Sequence, residues 1–254
     1  MLQTRVIPVL LMKDEGLYKG IHFKKHKYVG DPINTVKIFN EKEVDELIIF
    51  DIEASKLKKT INFEIIESIV SEAFMPIGYG GGIKTLEDAK KLFSLGIEKI
   101  VLNTSAIENF DLVKQLVQNY GSQSVVFCLD IKKSFFGKYE VFSYSGTKKI
   151  KIPPIELAKK MHELGVGEII INSIDNDGLM QGYDLKIIEE ITSQLSIPVI
   201  ACGGAKGLED FKKVKEMGAH GCAAGSMFVY NGVHKAVLIS YPEYNELEKL
   251  FKGK

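Results

Sequence analysis

Cysteine is scarce. There are three in 254 residues, Cys128, Cys202 and Cys222, with no CxxC spacing. All sit in or beside apolar runs, so reduced core thiols in a cytoplasmic protein are expected rather than a redox or metal centre. An excess of charge is missing too: 33 Lys and Arg balance 33 Asp and Glu. That balance gives no global argument for nucleic acid or an anionic membrane, although local patches stay open. No apolar run approaches the ~18 residues that a spanning helix needs. Val6 to Met12 is far too short and lacks a small-residue cleavage site, so no membrane segment is expected. A GxGxxG fingerprint with its acidic ribose contact is absent. His22 and His26 stand four apart in a lysine-rich loop (Lys24, Lys25, Lys27) with no third ligand nearby. No metal or cofactor is therefore expected. The same loop reads either as a phosphate clamp or as a solvated charge run.

Glycine is where the chain is rich. Ile77-Gly78-Tyr79-Gly80-Gly81-Gly82-Ile83 has a second version at Val199-Ile200-Ala201-Cys202-Gly203-Gly204-Ala205. Each follows a proline-opened apolar run, and each leads to Leu-Glu-Asp at the start of a helical pattern (Leu86 to Asp88, Leu208 to Asp210). Gly81 and Gly203 differ by 122, as do Gly96 and Gly218, Thr104 and Ser226, and Glu46 and Glu168. A period that long does not suit a solenoid; it suits two halves of one closed architecture.

Short apolar runs read as strands at Arg5–Leu11, Glu46–Asp51, Met75–Tyr79, Lys99–Asn103, Ser124–Asp130, Glu168–Asn172, Pro198–Cys202 and Gly221–Ala224. Helical patterns lie between them, with Thr85 and Asp184 suited to N-caps and Pro32 and Pro154 to first turns. Strands apolar throughout belong in a parallel sheet covered by helices. Alternation plus twofold repetition predicts a (β/α)8 TIM barrel over residues 1–254, with half-barrels of about 1–121 and 122–240. A doubly wound open sheet is the alternative, but it leaves the duplication unexplained. The stretch Ile131 to Ile150 reads as an inserted β-hairpin turning near Gly137-Lys138.

In such a barrel the strand ends facing their βα loops build the site. Gly81-Gly82 pairs with Asn103-Thr104, and Gly203-Gly204 with Gly225-Ser226. Each pair offers backbone N–H groups and a hydroxyl, which suits a phosphate, and two such cradles suit an elongated ligand phosphorylated at both ends. The alternative is that the glycines only make tight turns. Asp51 ends the second strand at the mouth, and Asp177-Gly178 follows the sixth. Asp130 ends the run Val125 to Leu129, where a partly desolvated carboxylate can serve as general acid or base; a helix cap or a pair with Lys132 is the plainer reading. Ile7 to Lys13 aligns with Val126 to Lys132, so the counterpart of Asp130 is Leu11. Leucine cannot transfer a proton.

These residues carry a resemblance. Ile7-Pro8 with Lys13-Asp14, Gly30-Asp31-Pro32, Asp45-Glu46-Leu47, Gly80-Gly81-Gly82-Ile83, Asn103-Thr104, Asp175 with Asp177-Gly178, Gly182-Tyr183-Asp184 and Ile197 to Ala201 before Gly203-Gly204 resemble the cyclase subunit of imidazole glycerol phosphate synthase. The likeness runs from about residue 1 to 230. It implies a barrel working with a glutaminase subunit, whose ammonia reaches a bis-phosphorylated ligand at the mouth for a lyase and ring-closing reaction. By that likeness Gly82, Asn103 and Thr104 hold one phosphate and Gly203, Gly225 and Ser226 the other. Asp130 is one of two catalytic aspartates, and Lys19 belongs to a mobile loop covering the ligand. Arg5, Glu46, Lys99 and Glu168 match a charged gate for ammonia, with Glu98 facing the glutaminase. Without the family, the same four charges read equally well as a salt-bridged plug.

The departures are as informative. Leu11 stands where the family has its other aspartate, and Asp175-Asn176-Asp177-Gly178 lacks the family's arginine. Tyr241-Pro242-Glu243-Tyr244 interrupts the expected last helix. Ile7 to Leu11 together with Leu179 to Gly182 looks like a paralogous branch associated with acetamidino-sugar formation for surface polysaccharide, beside a glutaminase and an N-acetyl-sugar amidotransferase. The expectation is an ammonia-handling barrel binding a phosphorylated small molecule in such a complex. The alternatives are a genuine cyclase whose proton transfers fall to Asp14, Asp51 or Asp177, and a non-catalytic scaffold that binds a phosphorylated effector.

Overall fold

A computed structural model describes residues 4–252. Eight parallel strands form the barrel: β1 (Arg5–Lys13), β2 (Leu47–Asp51), β3 (Ile77–Gly80), β4 (Lys99–Leu102), β5 (Val125–Lys133), β6 (Glu168–Ser173), β7 (Val199–Cys202) and β8 (Gly221–Ala224). Each pairs with the next, and β8 returns to β1 with Arg5 opposite Gly221 and Pro8 opposite Ala224, so the sheet closes. This is the (β/α)8 architecture expected from the alternating runs.

Closure explains why the strands are apolar on both faces. Successive side chains point to opposite sides of a strand. Ile7, Val9, Ile48, Val101, Val126, Ile170 and Ile200 fill the interior of the barrel. Their neighbours Val6, Leu10, Leu47, Ile49, Phe127, Ile169 and Val199 pack outward against the helices. The three cysteines are unbridged and buried, Cys128 and Cys202 facing in and Cys222 facing out.

The helices follow the strands as their patterns predict, at Pro32–Glu41, Phe63–Val70, Leu86–Ser94, Phe110–Tyr120, Pro154–Glu163, Leu185–Thr192 and Leu208–Glu216. Thr85 makes a full capping box with Asp88, a device worth about 1 kcal/mol. Asp184 stands at an N-cap position but does not cap. Its carboxylate is taken by Tyr139 Oη at 2.8 Å and Lys133 Nζ at 2.7 Å, which tie the β5 extension to the body. The last helix is present at Tyr244–Lys252 and buries Leu247 and Phe251. Pro242 therefore precedes that helix instead of breaking it, and the Tyr241 hydroxyl donates to the Val6 carbonyl at 2.9 Å.

Both half-barrels extend their first strand into antiparallel structure. The end of β1 pairs with Gly16–Ile21, which pairs with Lys24–Gly30. The lysine-rich segment is thus a hairpin, not a loop. Its turn places His22 and Phe23 at φ of 52° and 60°, the conformation of a type I′ turn normally filled by Asn-Gly. The end of β5 pairs with Tyr139–Ser143, and that strand with Lys148–Ile150. The insertion is therefore a three-stranded extension whose first strand is β5 itself, turning at Ser134–Lys138 as expected.

Candidate functional site

A cavity of about 270 Å³ opens at the C-terminal ends of the strands. Every mouth residue singled out in the sequence lines it: Asp130, Lys19, Asp51, Gly82, Asn103, Thr104, Asp177, Gly178, Gly203, Gly204, Gly225 and Ser226. Leu11 lines it too.

Both glycine loops hold two consecutive glycines at positive φ. Gly81 and Gly82 lie at φ of 127° and 73°, Gly203 and Gly204 at 86° and 114°, values that side chains disfavour. A Cβ on Gly204 would lie 2.2 Å from the Gly182 carbonyl oxygen. The chain therefore passes too close to its neighbour for any other residue. Thr104 and Ser226 each open a short helix, Thr104–Glu108 and Ser226–Val229.

The cradles differ in what their hydroxyls do. Thr104 Oγ1 accepts from Tyr144 N at 3.0 Å and contacts Asn103 Oδ1 at 3.3 Å. Ser226 Oγ is buried with no hydrogen-bond partner among the described residues. An orphaned buried hydroxyl is costly, and an anion accepting from it would remove that cost. Lys19 adds charge at the same place. Although it comes from the hairpin, its side chain is only 6% exposed and its ammonium lies 3.2 Å from Asp177 Oδ1. It also reaches Gly225 so closely that a Cβ there would sit 2.8 Å from Nζ.

Asp130 is buried at the cavity wall, and burial pushes its carboxyl up to about 7. Hydrogen bonds from Asn172 Nδ2 at 3.0 Å and Cys128 Sγ at 3.6 Å oppose that rise, and the charge of Asp177 adds to it. A carboxyl titrating there can both give and take a proton at neutral pH. Asp51 is also raised by desolvation, but its Oδ1 accepts from Glu53 N and Ala54 N, both at 3.0 Å. Asp14 does not line the cavity; it pairs with Lys59 at 2.8 Å on the surface.

Some site residues escaped sequence reading. Asn172, read from the sequence only as the end of an apolar run, lines the cavity and donates to Asp130. The β5 insertion had no role assigned, but it supplies Ser145, Gly146 and Thr147 to the wall. A Cβ on Gly146 would meet the Phe23 ring at 3.0 Å, so the extensions of the two half-barrels touch over the mouth. Only the duplication, applied to both insertions together, could have signalled this.

At the opposite end, Arg5, Glu46, Lys99 and Glu168 close a ring. Arg5 Nη1 pairs with Glu46, Arg5 Nη2 lies 2.7 Å from Glu168, and Lys99 Nζ lies 3.0 Å from Glu46 and 3.2 Å from Glu168. Burial works against the Arg5 charge, and the two glutamates more than offset it, holding the guanidinium above its usual value. Glu98 is exposed beside Lys99, with its backbone N–H bonded to Ile77. Among the described residues no group of three or more His, Cys, Asp or Glu could hold a metal, and no helix is long and apolar enough to cross a membrane.

A closed barrel with two repeat-related glycine cradles at its mouth and a charged ring at its base is a narrow class. Residues 5–235 match the family described as histidine biosynthesis protein. The chain is 52% identical to "Putative imidazole glycerol phosphate synthase subunit hisF2" of Pseudomonas aeruginosa, over 98% of this chain and 99% of that one. It is 49% identical to the "hisF3" protein of Vibrio vulnificus, described in the same words, over 98% and 96%. It is 38% identical to "Imidazole glycerol phosphate synthase subunit HisF" of Petrotoga mobilis, over 93% and 94%. The chain belongs to the HisF family of imidazole glycerol phosphate synthase subunits.

Proposed function

We propose that this chain is the barrel subunit of a glutamine-dependent complex that supports acetamidino-sugar formation for surface polysaccharide. A glutaminase subunit, the partner of HisF subunits in imidazole glycerol phosphate synthase, docks on the base beside Glu98. Its ammonia enters where Arg5, Glu46, Lys99 and Glu168 part, and travels inside the barrel to a phosphorylated ligand at the mouth. Gly82, Asn103 and Thr104 hold one phosphate. Gly203, Gly204, Gly225, Ser226 and Lys19 hold the other. Asp130 serves as the acid and base, and an N-acetyl-sugar amidotransferase is the further partner.

Leu11 carries this reading. It lines the same cavity as Asp130 and occupies the equivalent strand end, so ring closure needing two carboxylates has one of them replaced by an alkyl chain. A positioned acid or base contributes ~10²–10⁴-fold. Asn176 in place of an arginine removes a further cation beside the ligand. One observation favours a second reading, a genuine cyclase: Asp177 lines the cavity, pairs with Lys19 and raises Asp130. It is the carboxylate best placed to stand in for the missing one, since Asp14 lies outside and Asp51 is committed to its turn.

The deciding assay supplies the bis-phosphorylated cyclase substrate with ammonium salt to the wild type and to Leu11→Asp. Silence from the wild type and turnover by the variant support the proposal. Wild-type turnover abolished by Asp177→Asn establishes the second reading. If both proteins are silent but ammonia still passes from the glutaminase through the barrel, the transfer role stands without the ancestral ligand. If ammonia does not pass, the chain is an effector-binding scaffold.

A further inference from the structure

Six lysines and a single glutamate lie between Ile131 and Pro153, in a chain whose total charge is zero. At the tip of this insertion stand Phe135 and Phe136, 97% and 92% exposed. The tip is not a floppy loop. Ser134 N donates to the Lys138 carbonyl at 2.8 Å, Gly137 N to Ser134 at 2.9 Å, and Lys138 N to Ser134 Oγ at 3.1 Å. The two rings stack edge to face at 5.5 Å, packing on each other rather than on the barrel. Lys132 and Lys138 flank them, exposed and in no ion pair among the described residues.

The pattern recurs on other loops at the same end. Leu57, 53% exposed after β2, stands between Lys56 and Lys58, and Val233, 95% exposed after β8, precedes His234 and Lys235. A folded protein partner needs a contiguous complementary patch of some size. Separate apolar tips, each with lysine close by in the chain, instead suit a fluid surface into which each can dip while the lysines meet anionic headgroups. We infer that the mouth face of this barrel is a peripheral membrane-binding surface for anionic lipid, with Phe135 and Phe136 as its inserting residues. The base, with its charged ring, then faces away from the bilayer. The inference is independent of which ligand the cavity holds.

The chain has no tryptophan, so Phe136→Trp provides a unique reporter in the whole protein. With vesicles of mixed phosphatidylglycerol and phosphatidylcholine its emission should shift to the blue, and the shift should weaken as salt is raised. Phe74→Trp, at a position 90% exposed before β3 at the other end, should not respond. Phe135→Ser with Phe136→Ser should lower the fraction that sediments with the vesicles. Lys132→Gln and Lys138→Gln should each cost about fivefold in affinity. An emission unmoved by the anionic vesicles, a Phe74→Trp shift of equal size, or sedimentation indifferent to the double serine change overturns the inference. A Phe136→Trp shift induced by a protein fraction when vesicles leave it unmoved does so in favour of a protein partner.

Discussion

In the first half-barrel β1 reaches the mouth with Leu11, and in the second β5 reaches it with Asp130. Around that difference the halves remain alike: glycine loops with the same signs of φ, a hydroxyl at the start of a short helix, a glutamate at the base, an antiparallel extension after the first strand. They diverge again in the cradles. Thr104 spends its hydroxyl on the insertion's backbone, while Ser226, beside the Gly225 that Lys19 approaches, has no partner for its own among the described residues. The two halves keep the same scaffold and the same glycine loops, and the carboxylate at the strand end stands on one side alone.

The largest effect expected from restoring symmetry is catalytic. Leu11→Asp should gain ~10²–10⁴-fold in cyclase turnover, and Asp130→Asn in that background should remove the gain, measured as product formed with ammonium salt. Next come the repeat-related glutamates of the ring. Glu46→Gln leaves both cations short of a partner at the more buried site, 5% exposed against 12% for Glu168. It should cost ~3–5 kcal/mol in urea denaturation, and Glu168→Gln less; equal losses would break the distinction.

Asp130 should also show in stability against pH. Its folded value near 7 lies above the ~3.9 of an unfolded aspartate. The native state therefore holds the proton more tightly. Stability contributed by the neutral form is complete below about pH 4 and is lost as pH rises through 7. Asp130→Asn should abolish that slope, with a gain of up to ~4 kcal/mol near pH 8 and none near pH 4. Leu11 can confer no such slope. The smallest effects belong to the hydroxyls. Ser226→Ala should weaken binding of a bis-phosphorylated ligand by ~1.5–3 kcal/mol without destabilising the apo protein. Thr104→Ala should lower the melting temperature as well, because Tyr144 N loses its acceptor.

The barrel was legible because its strands are apolar runs of ordinary length, bounded by prolines and glycines. The mouth was legible because closure brings all such ends together. What escaped did so for local reasons. The hairpin after β1 turns at His22-Phe23, without the Asn or Gly that marks such turns, and Lys24 to Tyr28 are exposed without alternation. Asp184 has the right residue type for a cap, but Tyr139 and Lys133 arrive from a distant strand and outcompete the local bond. Asn172 was missed because it reads as the polar end of an apolar run, and nothing local says that it faces inward beside Asp130.

The seam between β8 and β1 also sets a folding order. Gly221 to Ala224 must find Arg5 to Pro8 across nearly the whole chain, and Tyr241 then fastens onto Val6 behind them. Contacts that distant in sequence are entropically late and slow to form. Until the last strand leaves the ribosome, β1 has a bare hydrogen-bonding edge on the side where β8 will dock. The nascent barrel is then an open, sticky sheet, and the final segment of the chain ends that exposure.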